Sequence, residues 1–396
     1  MENHLEQQEQ QRIAKEKRKV IIKRSITAAI CLTAAVLLFV YIIRNYVEKC
    51  FGGYEVLAST ERQDSSNAEY KSYNGNVLKI SRDGAVAIGA DGTLLWNGSY
   101  DYNSPQVDQC GNYVVIGDIG TKYLTVYNGN DSGTQMDMNY PIVQAEVSSK
   151  GIVAAVLTEN ASNTIQICDP YDNTQSLRVE IPTNVSVDGY PVDIALSPDG
   201  QKLITSYLTS ESNALNSNVT FYNFDKVGQD KVNRIVGANN YKGKMIPKVE
   251  WINEDTACVF GEDFFTIYDM PELPKEVCTE EFKTTIKSIM YSEKYIGVVV
   301  EGEDNKEGIL HVYNTSGREI LSKAIDFEYS EVEMYGDEIY FRSALESHIW
   351  KVNGKVKLNY KSSTSIDYIF PTEGKNNYIF LQGKKILKVR LSGDGK

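Results

Sequence analysis

The stretch GYPVDIALSPDGQKLITSYL, Gly189–Leu208, decides how the whole chain is read. Two runs rich in apolar and β-branched residues flank the tetrapeptide Ser197-Pro198-Asp199-Gly200. Pro198 sets the entry dihedral of a reversal. Asp199 can bond to the backbone that follows it, and Gly200 reaches positive φ without a steric penalty. Short apolar runs joined by such a turn form a β-hairpin. The same texture continues on both sides. Beyond residue 75, apolar runs of 4–8 residues alternate with Asp-Gly, Asn-Gly, Ser-Gly and Lys-Gly, and long runs of helical period are missing. The body is therefore all-β.

One strand type recurs along this body, usually ending in a bulky residue and then an Asx or Gly turn. It appears as AVAIGADG (Ala85–Gly92), YLTVYNGN (Tyr123–Asn130), TIQICDPYDN (Thr164–Asn173) and VTFYNFDK (Val219–Lys226). It returns as FFTIYDMP (Phe264–Pro271), ILHVYNTSG (Ile309–Gly317), HIWKVNG (His348–Gly354) and KILKVRLSG (Lys385–Gly393). A second apolar strand precedes most copies, as in YVVIGD from Tyr113 and YIGVVVE from Tyr295. Each repeat thus reads as a meander of about four strands. A small sheet that is apolar on both faces must be covered on both, and radial packing into a β-propeller does this. Eight copies predict eight blades, or seven if the first and last copies share one. The last repeat has no clear fourth strand after Leu391, so a segment within Tyr54–Tyr73 is expected to complete it. A pair of β-sandwiches is the competing arrangement.

The N-terminal region differs. Ser25–Ile43, SITAAICLTAAVLLFVYII, is a run of 19 uncharged residues. As a helix it spans roughly 28 Å, enough for the hydrocarbon core of a bilayer. It is longer than the apolar core of a cleaved signal peptide, and no small-x-small site follows Ile43. Lys15, Lys17, Arg18, Lys19, Lys23 and Arg24 precede it, whereas only Arg44 and Lys49 follow closely. That asymmetry places the N-terminus in the cytoplasm and the body outside, as in a type II signal anchor. Tyr41 and Tyr46 suit the membrane interface. The chain then divides into a basic cytoplasmic tail (1–24), a transmembrane anchor (25–43), a stem or linker (44–75) and a propeller domain (76–396). Of the formal charge of −12, residues 1–43 contribute +3 and the remainder −15.

The Ser-Pro-Asp-Gly turn resembles that of TolB-type and WD-repeat-like propellers. AVAIGADGTLLWNGSY (Ala85–Tyr100) resembles a blade of quinoprotein-like and outer-membrane assembly-factor propellers. The combination of basic tail, single anchor, Gly189–Leu208, VTFYNFDKVGQ (Val219–Gln229) and IPKVEW (Ile246–Trp251) resembles a family of membrane-anchored propellers from low-GC Gram-positive bacteria, known only as a domain of unknown function. The resemblance implies fold and location and carries no catalytic residues with it.

The residues themselves offer little chemistry. The three histidines are His4 in the tail and His311 and His348 on predicted strands, where structural roles are expected. Motifs for a nucleophile elbow, a zinc protease or a phosphate loop do not occur. The vicinal cysteines of quinoprotein dehydrogenases are missing too. Cys50, Cys110, Cys168, Cys258 and Cys278 are dispersed, with no CxxC pair, so neither a disulfide framework nor a zinc site is expected, and Cys110, Cys168 and Cys258 read as small core residues. Aspartates at Asp83, Asp91, Asp131 and Asp394 fall in turns and do not match a calcium loop. Asn-x-Ser/Thr occurs at Asn97, Asn130, Asn160, Asn184, Asn218 and Asn314, read as Asx turns. No catalytic, cofactor-binding or metal-binding residue is nominated. An acidic body argues against nucleic acid and favours partners with basic or neutral surfaces. The expectation is an extracytoplasmic scaffold or sensor that binds an envelope protein. The alternative is a hydrolase or lyase acting on wall glycan or peptide through carboxylates of the central funnel.

Overall fold

The computed structural model describes residues 18–19, 22–24, 26–27, 29–39, 50–62, 68–129, 133–159, 162–172, 177–211, 214–302, 307–393 and 395. The chain divides into two units, 1–49 and 50–396. In the first, a helix runs over Ile22–Phe39. Its long apolar side chains, from Ile22 to Phe39, are exposed. The hydroxyls of Thr27 and Thr33 donate to the carbonyls of Lys23 and Ala29, so neither is left bare in an apolar medium. The helix is long and apolar enough to cross a membrane. The tail residues 1–17 and the flanking Tyr41, Arg44 and Tyr46 lie outside the described residues.

The second unit is an eight-bladed β-propeller, with 32 described strands in eight four-stranded antiparallel sheets. Blade 1 runs from Glu69–Tyr73 to Leu94–Ser99, blade 2 from Pro105–Cys110 to Thr134–Asp137, and blade 3 from Ile142–Val147 to Leu177–Asn184. Blade 4 runs from Tyr190–Leu196 to Ile235–Tyr241, blade 5 from Lys248–Trp251 to Lys275–Glu281, and blade 6 from Ile286–Ser292 to Glu319–Ile325. Blade 7 runs from Glu331–Tyr335 to Val356–Lys361, and blade 8 starts at Ile366–Pro371. The first strands of neighbouring blades approach one another and form the inner wall. Because each blade has four antiparallel strands, its first and third turns lie on one face of the ring, and its second turn and exit loop on the other. We call these the turn face and the loop face.

The hairpin that opened the sequence reading is built as the residues dictate. The carboxylate of Asp199 accepts from the hydroxyl of Ser197 (2.6 Å) and the amide of Gln201 (3.0 Å). Ser197 Oγ accepts from Lys202 N (2.9 Å), and Gly200 sits at φ 73°. Many middle strands carry an apolar run without alternation, as in YVVIGD, VAAVLTE and YIGVVV, because both of their faces are covered. In blade 2, Val114 and Ile116 pack towards blade 1, while Val115 between them packs towards blade 3. One apolar cluster fills each gap between blades, eight in all, so the seven-blade alternative is excluded.

Ring closure corrects the expected domain boundary. The fourth strand of blade 8 is Gly53–Glu61, which pairs antiparallel with Lys385–Ser392, from Gly53 opposite Ser392 to Glu61 opposite Lys385. Glu69–Tyr73 is the inner strand of blade 1. Both segments were expected in a stem. They belong to the propeller because the edge of Lys385–Ser392 would otherwise be unpaired. The compact unit therefore starts at Cys50, not at residue 76. The expected closing segment within Tyr54–Tyr73 is there, shifted slightly towards the N-terminus. Residues 63–67 lie outside the described residues.

A buried polar clasp joins blades 7 and 8. Glu338 accepts from Lys357 (2.6 Å), Tyr340 (2.8 Å) and, across the blade gap, Tyr378 (2.7 Å), and Lys351 lies 2.8 Å away. Burial alone would raise the carboxyl pKa; Lys357 and Lys351 reverse this and hold it down at about 2. The folded value lies below the unfolded one, so this contribution to stability is full above the ordinary carboxyl range and is lost as pH falls towards about 2. Two outcomes are expected. Deleting Gly53–Glu61 lowers the thermal unfolding midpoint and raises binding of a hydrophobic dye, because one blade edge is bared. Glu338→Gln lowers stability in urea by about 3 kcal/mol at neutral pH. The gap between Glu338→Gln and the parent chain narrows steadily on acidification below about pH 4.5.

Candidate functional site

Inner strands crowd together at the axis, and their side chains alternate between the blade core and the central channel. The inner strands hold eight carboxylates (Glu69, Asp108, Glu146, Asp193, Glu250, Glu331, Glu333 and Asp367) against three lysines (Lys71, Lys248 and Lys287). Several of these groups staple one blade to the next. Asp108 Oδ2 of blade 2 accepts the amide of Val147 in blade 3 (2.7 Å). Gln144 of blade 3 donates to the carbonyl of Ile194 in blade 4 (3.2 Å) and accepts that residue's amide (3.3 Å). Asp193 of blade 4 accepts the amide of Val249 in blade 5 (2.8 Å). Tyr291 of blade 6 donates to Glu250 of blade 5.

The densest group lies on blades 2 to 6. Lys248 Nζ is 3.3 Å from both Asp193 Oδ2 and Glu250 Oε2. Gln144 Nε2 donates to Asp193 Oδ1 (3.0 Å) and Glu146 Oε1 (3.1 Å). Glu146 is half-buried at its surface, and protein encloses its carboxyl. That enclosure first, and the neighbouring Asp108 and Glu250 second, raise its pKa well above the usual carboxyl range. Glu250 is raised by burial, a shift that Lys248 and Tyr291 oppose. Burial would lower Lys248, but Glu250, Asp193 and Glu146 outweigh it and raise its pKa. The arrangement juxtaposes a carboxyl of raised pKa, a second carboxyl group and an ammonium held by its ion pairs. A cavity of about 450 Å³ on the loop face is lined by Lys248, Met245, Glu262 and Ile286–Ile289. Further round the axis, Arg342 is buried with Nη2 3.2 Å from Glu333 and 3.7 Å from Glu331, and its guanidinium lies over the ring of Tyr368.

The residues weighed in the sequence are scattered by comparison. His311 lies on the third strand of blade 6, with Nδ1 2.7 Å from Glu319. His348 lies on the third strand of blade 7, stacked on Phe327 at 3.6 Å between centroids, with Nε2 3.5 Å from Glu346. Burial lowers its pKa more than Glu346 raises it. A peripheral cavity of about 750 Å³ lies beside it, lined also by Lys323 and Trp350, which sequence reasoning missed. Cys168 and Cys258 are buried core residues. Cys110 is half-buried, and burial together with Asp108 and Glu250 pushes its thiol up to about 11. All six cysteines are unpaired. No cluster of three metal-ligating side chains occurs among the described residues. Asn184 and Asn314 form Asx turns. Asn97 and Asn218 instead lie within strands, a correction to the turn reading, and Asn130, Asn160, Asp131 and Asp394 lie outside the described residues.

A closed eight-bladed ring with a polar, acidic axis defines a β-propeller protein. The particular family follows from the sequence: residues 46–391 match the family of unknown function DUF5711, and the chain belongs to it. No curated protein matches the chain. Among solved structures, BamB from Moraxella catarrhalis superposes with a TM-score of 0.50 at 12% identity, covering 87% of this chain and 99% of that one. Sqt1 from Chaetomium thermophilum gives 0.51 at 12% identity, covering 86% and 97%. At such identity the likeness is one of fold.

The raised pKa of Glu146 has a consequence for stability. Its folded value exceeds the unfolded one, so ionising it at neutral pH opposes folding, and the cost disappears in acid. Glu146→Gln is therefore expected to raise the urea midpoint at pH 8 and to have little effect at pH 4. A uniform loss of stability across that range would show that the carboxylate is needed for packing.

Proposed function

We propose that this chain is a membrane-anchored, extracytoplasmic propeller that acts as a protein-interaction scaffold through its loop face. The observation that carries the reading is the shape of blade 4. Its middle strands, Lys202–Glu211 and Ala214–Asn223, are 10 residues each, whereas those of the other blades are five to eight. The extra residues extend this hairpin by roughly 10 Å towards the loop side. Leu215 near its end is 52% exposed, and Val187, Tyr190 and Met245 around its base are exposed at 76%, 47% and 46%. Apolar side chains gathered at a projecting element, with no packing need for their exposure, mark a docking surface. The net charge of −15 beyond residue 43 favours a partner with a basic or neutral face. The apolar helix Ile22–Phe39 and the basic residues before it support a single-pass anchor with the ring outside the cell.

A second reading draws on the axis. Glu146, holding its proton to higher pH beside Glu250 and Lys248, has the character of a general acid, and a hydrolase or lyase acting on wall glycan would use it so.

Proximity labelling from the ring in intact cells is expected to capture a specific envelope protein. The double change Leu215→Glu and Met245→Glu should abolish capture without moving the unfolding midpoint. External protease should cut the body in intact cells; a fully protected body would overturn the orientation. If Glu146→Gln abolishes turnover of purified wall glycan while capture persists, the enzymatic reading gains over the scaffold.

A further inference from the structure

The outer parts of blades 3 and 4 diverge and leave a cleft of about 340 Å³. Its blade 4 wall comes from one face of the ladder. Tyr207 stands directly opposite Asn218, Thr220 and Tyr222 follow on the same face, and Asn240 continues it on the outer strand. Its blade 3 wall carries Ile181 and Thr183. The hydroxyls of Tyr207 and Tyr222 are 2.8 Å apart; one donates to the other, so the pair has a further hydrogen to give. Asn240 donates to Asn218 Oδ1 (2.6 Å), so each amide keeps its remaining donor or acceptor groups for the cleft.

A buried amide lies behind the blade 3 wall. Asn163 is only 2% exposed, yet both its amide nitrogen and its amide oxygen lack a partner. It pairs directly with Thr183 across the ladder. Buried amides are nearly always bonded, and Asn163 stands behind this wall without lining the cleft, so it calls for a water at the base of the wall and leaves the ligand to the lining residues.

The lining selects among ligands. Among the described residues Asp188 is the one charged group of the lining, with no lysine or arginine beside it, which disfavours phosphates and carboxylates. Amides and phenolic hydroxyls that donate and accept together match the hydroxyls of a polyol. Val187 and Ile235, exposed at the rim, offer apolar contact to a ring's C–H face. The volume lies at the lower end for small-molecule sites, in keeping with one or two sugar rings. We propose that the cleft between blades 3 and 4 binds a neutral saccharide unit. This assignment shares Val187 with the scaffold reading but does not rest on it, and the residues changed in its test, Tyr222 and Asn240, take no part in that reading.

The test is saturation-transfer NMR and titration of the full chain in nanodiscs. The probes are glucose, galactose, mannose, N-acetylglucosamine and their disaccharides, with glucose 6-phosphate as the anionic comparison. At least one neutral sugar should bind saturably, and more tightly than glucose 6-phosphate. Tyr222→Phe should weaken that binding about tenfold, the worth of one hydrogen bond. Asn240→Ala, an exposed change that leaves the core alone, should weaken it comparably at an unchanged unfolding midpoint. The proposal falls if no sugar binds saturably. It falls equally if glucose 6-phosphate binds as tightly, or if binding is unaltered in both variants.

Discussion

Every feature of the ring depends on one constraint: a four-stranded sheet whose middle strands are apolar on both faces cannot stand alone in water. Val114, Val115 and Ile116 are all fully buried although they point alternately to opposite sides. Such a sheet needs a neighbour on each face, and so does each neighbour. The requirement ends only when the array closes, and here it closes through Phe370, Ile379 and Leu381 of blade 8 against Tyr70 and Val77 of blade 1. Closure by packing leaves blade 8 one strand short, and pairing Gly53–Glu61 with Lys385–Ser392 supplies it. The two chain ends of the ring are thus held in one sheet by a ladder of backbone hydrogen bonds. An apolar seam and a hydrogen-bonded seam thus act on the same blade.

The axis follows from the same geometry. Bringing eight strands together around a channel leaves half of their side chains facing a narrow, wet space. Acidic and amide side chains there reach sideways to the next strand's backbone, as Asp108, Gln144 and Asp193 do. These bonds account for much of the axial polarity as architecture. Glu146 is different in kind, since among the described residues its one hydrogen-bond donor is the Gln144 amide and its surroundings oppose its charge. A group that costs stability where its neighbours add to it is where a role beyond architecture is to be sought.

The sequence was informative where the physics repeats and silent where it does not. All eight copies of the recurring strand, from Ala85 to Lys385, are the third strands of successive blades, because a strand buried on both faces must be apolar throughout and end in a turn. The closing strand GYEVLASTE was legible only as a region. It lies at the outer edge of blade 8, half-exposed, and its polar residues resemble a linker. The inner strand EYKSY was missed for a related reason: one face lines a wet channel, and five residues are too few for alternation to stand out. The axial cluster was invisible because its members come from separate blades. In hindsight the i, i+2 polar pairs in QAEV, KVEW and EVEMY mark strands with one wet face.

Where a fold is built from repeats, packing makes the same demands on every blade, so a departure that packing does not require needs another cause. Blade 4 departs most. Its middle strands overrun the ring, and its third turn passes through a short helix at Lys226–Gln229 before the outer strand begins. Its face towards blade 3 carries Tyr207, Asn218, Thr220 and Tyr222 beside the apolar base of Ile194, Leu196 and Leu203. The projecting hairpin has a cost, since it leaves Leu215 at its end and Met245 at its base exposed. The remaining gaps show that this chain can fill such positions with aliphatic side chains. That blade 4 does not do so is the strongest internal reason to place recognition there, with the symmetric remainder of the ring as its rigid support.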